Sequence, residues 1–132
     1  MAKLVLPKSD TKVIAIAKFI GEAYAFRTAL KLHHWEITGS GSYATHIALD
    51  QGIDQVSGVI DELAETSVAL YGTLNIKVDA VENPINIIKY CEDFHNRIKG
   101  MYNVFNESFQ KSILDSLDES VVQLLYRLKR LM

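Results

Sequence analysis

The chain has 132 residues, of which 48% are hydrophobic and 23% are charged. This length and this balance are typical of one globular domain and exclude an intrinsically disordered chain. The formal net charge of −2 gives no general attraction to nucleic acid, and the single cysteine excludes a disulfide within one chain. A reducing compartment is therefore expected.

The N-terminal sequence predicts neither secretion nor membrane insertion. Residues 1–12, MAKLVLPKSDTK, lack the long apolar core of a signal peptide. The most apolar run, VIAIAKFIGEAYAF, is interrupted by Lys18 and Glu22, so it cannot cross a bilayer alone. We expect a soluble cytoplasmic protein with one domain over residues 1–132, of which residues 1–8 form a flexible tail.

The first predicted helix covers residues 9–37, where apolar side chains recur at helical spacing. Ser9 or Asp10 is its candidate N-cap, because short polar side chains accept hydrogen bonds from the first amides of a helix. The segment TGSGS then predicts a break, with Ser42 as the candidate cap of the next helix.

The second predicted helix covers residues 43–71 and ends at Gly72, a favourable residue just past a helix C-terminus. Residues 73–82, TLNIKVDAVE, form a connection. Asn83 and Pro84 then predict the start of a third helix, because asparagine caps and proline is tolerated in the first turn.

The third predicted helix extends to Phe105, and a turn at residues 106–108 separates it from a fourth helix with a regular apolar stripe. No alternating strand pattern occurs. Four amphipathic helices with short links predict an all-α fold, a four-helix antiparallel bundle. Cys91 lies on the apolar stripe of the third helix and is interpreted as a buried small hydrophobic residue.

The second helix carries one stripe of potential metal ligands. On a wheel of 100° per residue, His46, Asp50, Asp61 and Glu65 fall within about 100° of arc. His46 and Asp50 are four residues apart, as are Asp61 and Glu65, so each pair could offer two ligands to one ion. Histidine together with carboxylate suits iron, manganese or zinc better than calcium or copper.

One helix cannot join the two pairs, because the eleven residues from Asp50 to Asp61 span roughly 16 Å along its axis. Two copies of the helix that cross antiparallel about a two-fold axis could join them. In such a crossing, residues whose numbers have the same sum face each other. The sum is 111 both for His46 with Glu65 and for Asp50 with Asp61, so the first pair of each copy would face the second pair of the other. Such a dimer would contain two equivalent sites.

The crossing would fall near Gln55 and Val56. Gly52, Ser57 and Gly58 flank it, and their small side chains would permit close approach. A solvated helix face is the alternative interpretation of the same stripe. The equal sums of residue numbers and the nearby His34 and Trp35 favour a metal site. His34, at the end of the first helix, would be its fifth ligand.

These residues resemble the signature of the Dps-type miniferritins. In that signature His-Trp-x-x-x-Gly is followed by a histidine, by an acid four residues later, and after eleven more by Asp-x-x-x-Glu. The matching positions here are HWEITG (residues 34–39), His46, Asp50, Asp61 and Glu65, at intervals of 12, 4, 11 and 4. The segment DELAETSVALYG (residues 61–72) is also similar, with Thr66 where an arginine is common.

The resemblance implies a ferritin-like four-helix bundle with an intersubunit ferroxidase site, usually in a hollow dodecamer. It implies oxidation of Fe(II) to Fe(III), preferably by hydrogen peroxide, then storage as a ferric mineral and protection from oxidative damage. Zinc or manganese could replace iron. One subunit would supply His34, His46 and Asp50, its mate would supply Asp61 and Glu65, and Trp35 would lie beside the metal and take up oxidising equivalents.

The sequence departs from the family in being short. The connection after Gly72 has no room for the small helix that family members carry between the second and third long helices. Short proteins of this pattern occur in bacteriophages. The alternative function is therefore that of a non-enzymatic ferritin-like protein, which binds DNA or another protein or has a structural role, for example inside a phage virion. Its basic tail contains Lys3, Lys8 and Lys12.

Two further groups have both a functional and a structural interpretation. The segment EDFH (residues 92–95) has the Glu-x-x-His spacing of di-iron bundles, which need two such motifs, so an exposed face is favoured. Asp115, Asp118 and Glu119 could line a channel for iron, but an exposed helix surface is again favoured. His33 is interpreted as a surface or packing residue.

Overall fold

The computed structural model describes residues 10–131, and these residues form helices without any β-strand. A short 3-10 helix covers Tyr102–Val104. The four α-helices are α1 (Thr11–Glu36), α2 (Ser42–Tyr71), α3 (Ile87–Met101) and α4 (Ser108–Leu131). The predicted all-α four-helix bundle is thereby confirmed. The predicted tail at residues 1–8 lies outside the described residues.

Two of the predicted helix ends are correct. The Asp10 carboxylate accepts a hydrogen bond from the Lys12 amide at 2.8 Å and caps α1. At the far end of α2, Gly72 adopts a φ of 83°, and its N–H donates to the Val68 carbonyl. Glycine reaches this backbone region without the steric penalty that a Cβ would bring.

The predicted cap at Ser42 is wrong, because Gly41 is the N-cap and Ser42 is the first residue of α2. Gly41 has a φ of 77°, and the Ser42 amide donates back to the Gly39 carbonyl at 3.2 Å. The glycines therefore close a tight turn that leaves no side-chain cap on α2. This turn folds α2 directly back onto α1.

The predicted start of α3 at Asn83 is also wrong. The cap is Asn86, whose side chain accepts a hydrogen bond from the Lys89 amide at 3.0 Å. The Asn83 side chain instead contacts Nδ1 of His33 at 2.7 Å and donates to Glu36. Tertiary contacts with the end of α1 therefore compete successfully with local capping.

The connection between α2 and α3 crosses the length of the bundle and contains no helix. The Lys77 carbonyl oxygen lies only 2.0 Å from where a Cβ of Gly21 would be, so backbone passes directly over α1 there. Farther along, Asn83 reaches His33 near the end of α1. The connection thus returns to the end of the bundle where α2 begins, and α3 runs parallel to α2.

Each helix is antiparallel to the helices against which it packs. Helices α1 and α4 lie at opposite corners, and each packs against both α2 and α3. Phe26 stacks on Phe94 across α1 and α3, with ring centroids 4.1 Å apart. Burial of one such large apolar side chain contributes about 1.5–3 kcal/mol to folding. The largest fully buried side chains include Phe19, Phe26, Phe105, Leu30, Leu49, Leu63, Met101, Leu117 and Leu128.

Cys91 lies in this core, as predicted, and burial raises the pKa of its thiol to about 12. The thiol is therefore neutral at physiological pH and a poor metal ligand or nucleophile. Within residues 10–131, no helix combines the length and the apolar character that a bilayer crossing requires.

Candidate metal site

Three of the predicted ligands converge where the end of α1 meets the beginning of α2. His34, His46 and Asp50 each offer a ligand atom, and these atoms all lie within 4.8 Å of one another. Nε2 of His34 is 2.9 Å from one Asp50 carboxylate oxygen, and Nε2 of His46 is 3.9 Å from the other. The two imidazole rings stack with centroids 3.7 Å apart.

The turn between the helices explains this convergence. Only five residues, 37–41, separate α1 from α2, so the last turn of α1 lies against the first turns of α2. His46 and Asp50 follow each other by one helical turn and point the same way. The turn thus brings His34 to a pair that α2 had already aligned.

His34 is buried, with 6% of its surface exposed, and neither ring nitrogen has a partner in hydrogen-bond geometry among the described residues. Its short distance to Asp50 is an electrostatic contact without the alignment of a hydrogen bond. A buried polar group left without a partner costs about 1–3 kcal/mol. A bound cation would satisfy this imidazole.

The backbone orients the second imidazole. Nδ1 of His46 lies 3.2 Å from the carbonyl oxygen of His34, and a carbonyl can only accept. With the proton on Nδ1, Nε2 keeps its lone pair and faces the Asp50 carboxylate. Metal-binding histidines commonly donate their second nitrogen to a carbonyl in this way, which fixes the tautomer and orientation of the ring.

Lys31 provides an alternative partner for the same carboxylate. Its Nζ lies 3.9 Å from Asp50, and both side chains are partly exposed to solvent. Ion pairs of this kind contribute about 0–1 kcal/mol because water screens them. A structural role as the partner of Lys31 and His34 therefore accounts for the position of Asp50, but it leaves the unaligned His34 ring unexplained.

The other predicted ligands do not join this cluster within one chain. Asp61 and Glu65 are exposed and lie farther along α2, and their carboxylates make no ion pair or hydrogen bond with any residue in the described range 10–131. Trp35 follows His34 directly but is 66% exposed. One chain therefore assembles three of the five predicted ligands.

The predicted crossing residues have different environments. Gly52 is buried, and a Cβ there would lie 3.0 Å from the Leu124 side chain, so this glycine allows α4 to approach α2. Its predicted role in a crossing between two copies is wrong. Gly58 is exposed with open space around it, and Ser57 accepts a hydrogen bond from Arg27 at 3.2 Å.

The remaining histidines have structural partners. His33 contacts Asn83, consistent with its interpretation as a packing residue. His95 of the EDFH segment pairs with Asp118 across α3 and α4, so this aspartate is a partner in a helix–helix contact. Sequence reasoning missed this pair because it depends on tertiary packing. It also missed Lys31, although its spacing of three from His34 indicated a shared face.

The family to which the chain belongs includes the candidate site in its matched region, but no activity is known for it. The chain belongs to DUF5856, a family of unknown function, whose profile matches residues 34–128. The matched region begins at His34 and contains all five candidate ligands. Comparison with curated proteins gives no match. The function is therefore argued from the geometry of the site.

Proposed function

We propose that this protein is a miniferritin-like ferroxidase, which binds Fe(II) as its substrate between two copies of the chain. The observation that carries the proposal is the cluster of His34, His46 and Asp50. It combines a buried imidazole without an aligned partner, a second imidazole oriented by a carbonyl, and a carboxylate. These are ligand types that suit iron.

A second copy would complete the site. Asp61 and Glu65 are exposed on the same helix as His46 and Asp50, within the same arc of its surface. An antiparallel crossing of two α2 helices near Gln55 brings the carboxylates of each copy to the histidines of the other. The open surface at Gly58 is compatible with close approach there.

The proposed reaction oxidises two Fe(II) ions with one hydrogen peroxide. The peroxide accepts one electron from each iron, its O–O bond breaks, and with two protons it leaves as two water molecules. Three carboxylates, Asp50, Asp61 and Glu65, offset the positive charge and favour the ferric product. Trp35 would be covered by the second copy and would lie beside the site, where it can take up oxidising equivalents.

The chain direction supports a ferritin-like interpretation of the bundle. One long crossover joins the second and third helices, and ferritin-like folds are four-helix bundles with one such crossover. By the same resemblance, we propose that dimers assemble into a hollow shell, with a dodecamer as the expected form, and store ferric mineral in the cytoplasm. Zinc or manganese would occupy the site as substitutes.

The test is Fe(II) oxidation by the purified protein under anaerobic conditions, started with hydrogen peroxide and followed by ferric absorbance. We expect a rate well above that of buffer, and loss of this excess in the His46→Ala/Asp61→Ala variant. Glu62→Ala is the matched control, because Glu62 is an exposed carboxylate of α2 outside the proposed ligand set and outside the arc that the ligands occupy. A wild-type rate equal to that of buffer would contradict the proposal.

A further inference from the structure

A groove of about 460 Å³ lies between the beginning of α2 and the end of α4, beside the stripe of proposed metal ligands. Ala44, Ile47 and Ala48 line it from α2, and Tyr126 and Leu131 line it from α4. Its volume falls within the range of roughly 300–1,000 Å³ that is common for small-molecule sites. The walls suit an apolar ligand.

The charged groups that line the groove are both positive. They are Arg127 and Arg130, and no Asp or Glu of residues 10–131 lines the groove. Arg130 lies over the Tyr126 ring, with 5.7 Å between its guanidinium carbon and the ring centroid. Arg127 differs, because its Nε and Nη2 are buried without a hydrogen-bond partner among the described residues. Guanidinium stays protonated in proteins, so these donors lack an acceptor.

The α2 end of the groove adds a second positive feature. Tyr43 and Ala44 line the groove from the first turn of α2, and the preceding cap, Gly41, supplies no side-chain acceptor. The first amides of a helix have no partner within the helix, and the helix dipole places partial positive charge at this end. The C-terminal carbonyls of α4 end beside the same groove and offset this dipole, so the two arginines are what favours an anionic group there.

We propose that this groove binds a free carboxylate with an extended apolar body, such as a medium-chain fatty acid. The apolar body lies along Ile47 and Tyr126, and the carboxylate accepts hydrogen bonds from Arg127, which lines the groove. A small inorganic anion would leave the apolar walls wet, and a cation would meet two arginines. The proposal is independent of the iron chemistry and of its outcome.

The test uses isothermal titration calorimetry of the wild-type protein with decanoate, decanol and acetate, each below the concentration at which it aggregates. We expect one decanoate per chain. Decanol lacks the charge and acetate lacks the apolar body, so each is expected to bind at least about tenfold more weakly, a loss of about 1.4 kcal/mol. Equal binding of decanol, or no binding of decanoate, would overturn the proposal.

Two substitutions locate the ligand. Arg127→Gln removes the charge and Ile47→Asp places a carboxylate on the apolar wall, and each should weaken decanoate binding at least about tenfold. Lys99→Gln and Val122→Asp make the same changes at exposed positions outside the groove and should leave it unchanged. Thermal unfolding verifies that each variant folds. Undiminished binding to either groove variant would overturn the proposal.

Self-association is the competing explanation for an apolar groove. If a second copy of the chain covers the groove instead, Ile47→Asp will lower the mass of the assembly in solution, and decanoate will not bind to the wild type. That pair of results would overturn the proposal. Because neither measurement involves iron, a negative result here leaves the ferroxidase test unaffected.

Discussion

The two halves of α2 carry similar ligand pairs in contrasting surroundings. In the first half, His46 is oriented by a carbonyl of α1, and Asp50 lies beside His34. In the second half, Asp61 and Glu65 are exposed and have no partner within the described part of the chain. The same four-residue spacing thus belongs to an organised cluster at one end and to a solvated surface at the other.

This difference shows what the fold of a single chain can organise. The first pair is ordered because the short turn brings α1 onto it. No such element packs against the second pair, so only an added surface could order it. The exposed pair is therefore the part of the proposed site that depends on a second copy.

The largest expected effect is restoration of activity by mixing two inactive variants. His46→Ala/Asp50→Ala lacks the first half of each site, and Asp61→Ala/Glu65→Ala lacks the second. After unfolding and refolding together, half of the random dimers are mixed, and each mixed dimer contains one intact site. We expect about a quarter of the wild-type rate of ferrous oxidation.

The separately refolded variants are the controls for this mixture, and both should match the rate of buffer. An inactive mixture that still contains mixed dimers would show that the two halves of α2 do not share a site. Native mass spectrometry distinguishes that result from a failure to form mixed dimers.

A smaller effect is expected on metal affinity. Asp61→Asn removes a proposed charged ligand and should weaken Zn(II) or Co(II) binding, measured by calorimetry, at least about tenfold, or about 1.4 kcal/mol. Glu62→Gln changes an exposed carboxylate of α2 outside the arc of the ligands and should have no effect. Equal metal affinities of the two variants would show that Asp61 is an exposed residue and not a ligand.

The smallest effect compares two glycines of α2. In the monomeric chain, Gly58→Ala should stabilise the fold by about 0.5–1 kcal/mol, because alanine is favoured in an exposed helix interior and nothing in the same chain lies near its Cβ. Gly52→Ala should destabilise it by about 1 kcal/mol, because its Cβ would press on the buried Leu124 side chain. Urea unfolding at a concentration at which the chain is monomeric measures both changes in the free energy of unfolding. Equal changes would contradict the environments assigned to the two glycines.

Local signals predicted the four helices and the grouping of ligands, but not every boundary. The end of α2 was predictable because a positive φ just past a helix end favours glycine, and this requirement depends only on the local backbone at Gly72. The start of α3 was not, because Asn83 and Asn86 are both competent caps and contacts with His33 and Glu36 decide between them. The pairing of His95 with Asp118 likewise depends on which helices become neighbours.

For the site, helical periodicity was enough to align His46 with Asp50, and the short turn made His34 a reasonable addition. Periodicity also separates Gly52 from Gly58, because six residues turn a helix by about 600° and leave the two glycines about 120° apart. Gly52 falls beside the apolar stripe against which α4 packs, so its burial was predictable. The arrangement of two copies stays a prediction, since it concerns a surface that one chain leaves open.

The crossover over α1 has an evolutionary consequence. Lys77 takes the space that any side chain at position 21 would need, so a mutation there must displace backbone rather than a flexible side-chain tip. Homologues with a crossover of the same length should therefore retain glycine at this position, whereas an insertion that lifts the crossover would release the constraint. The residue found at position 21 in a homologue would then indicate whether its crossover, which is distant in sequence, passes over α1 in the same way.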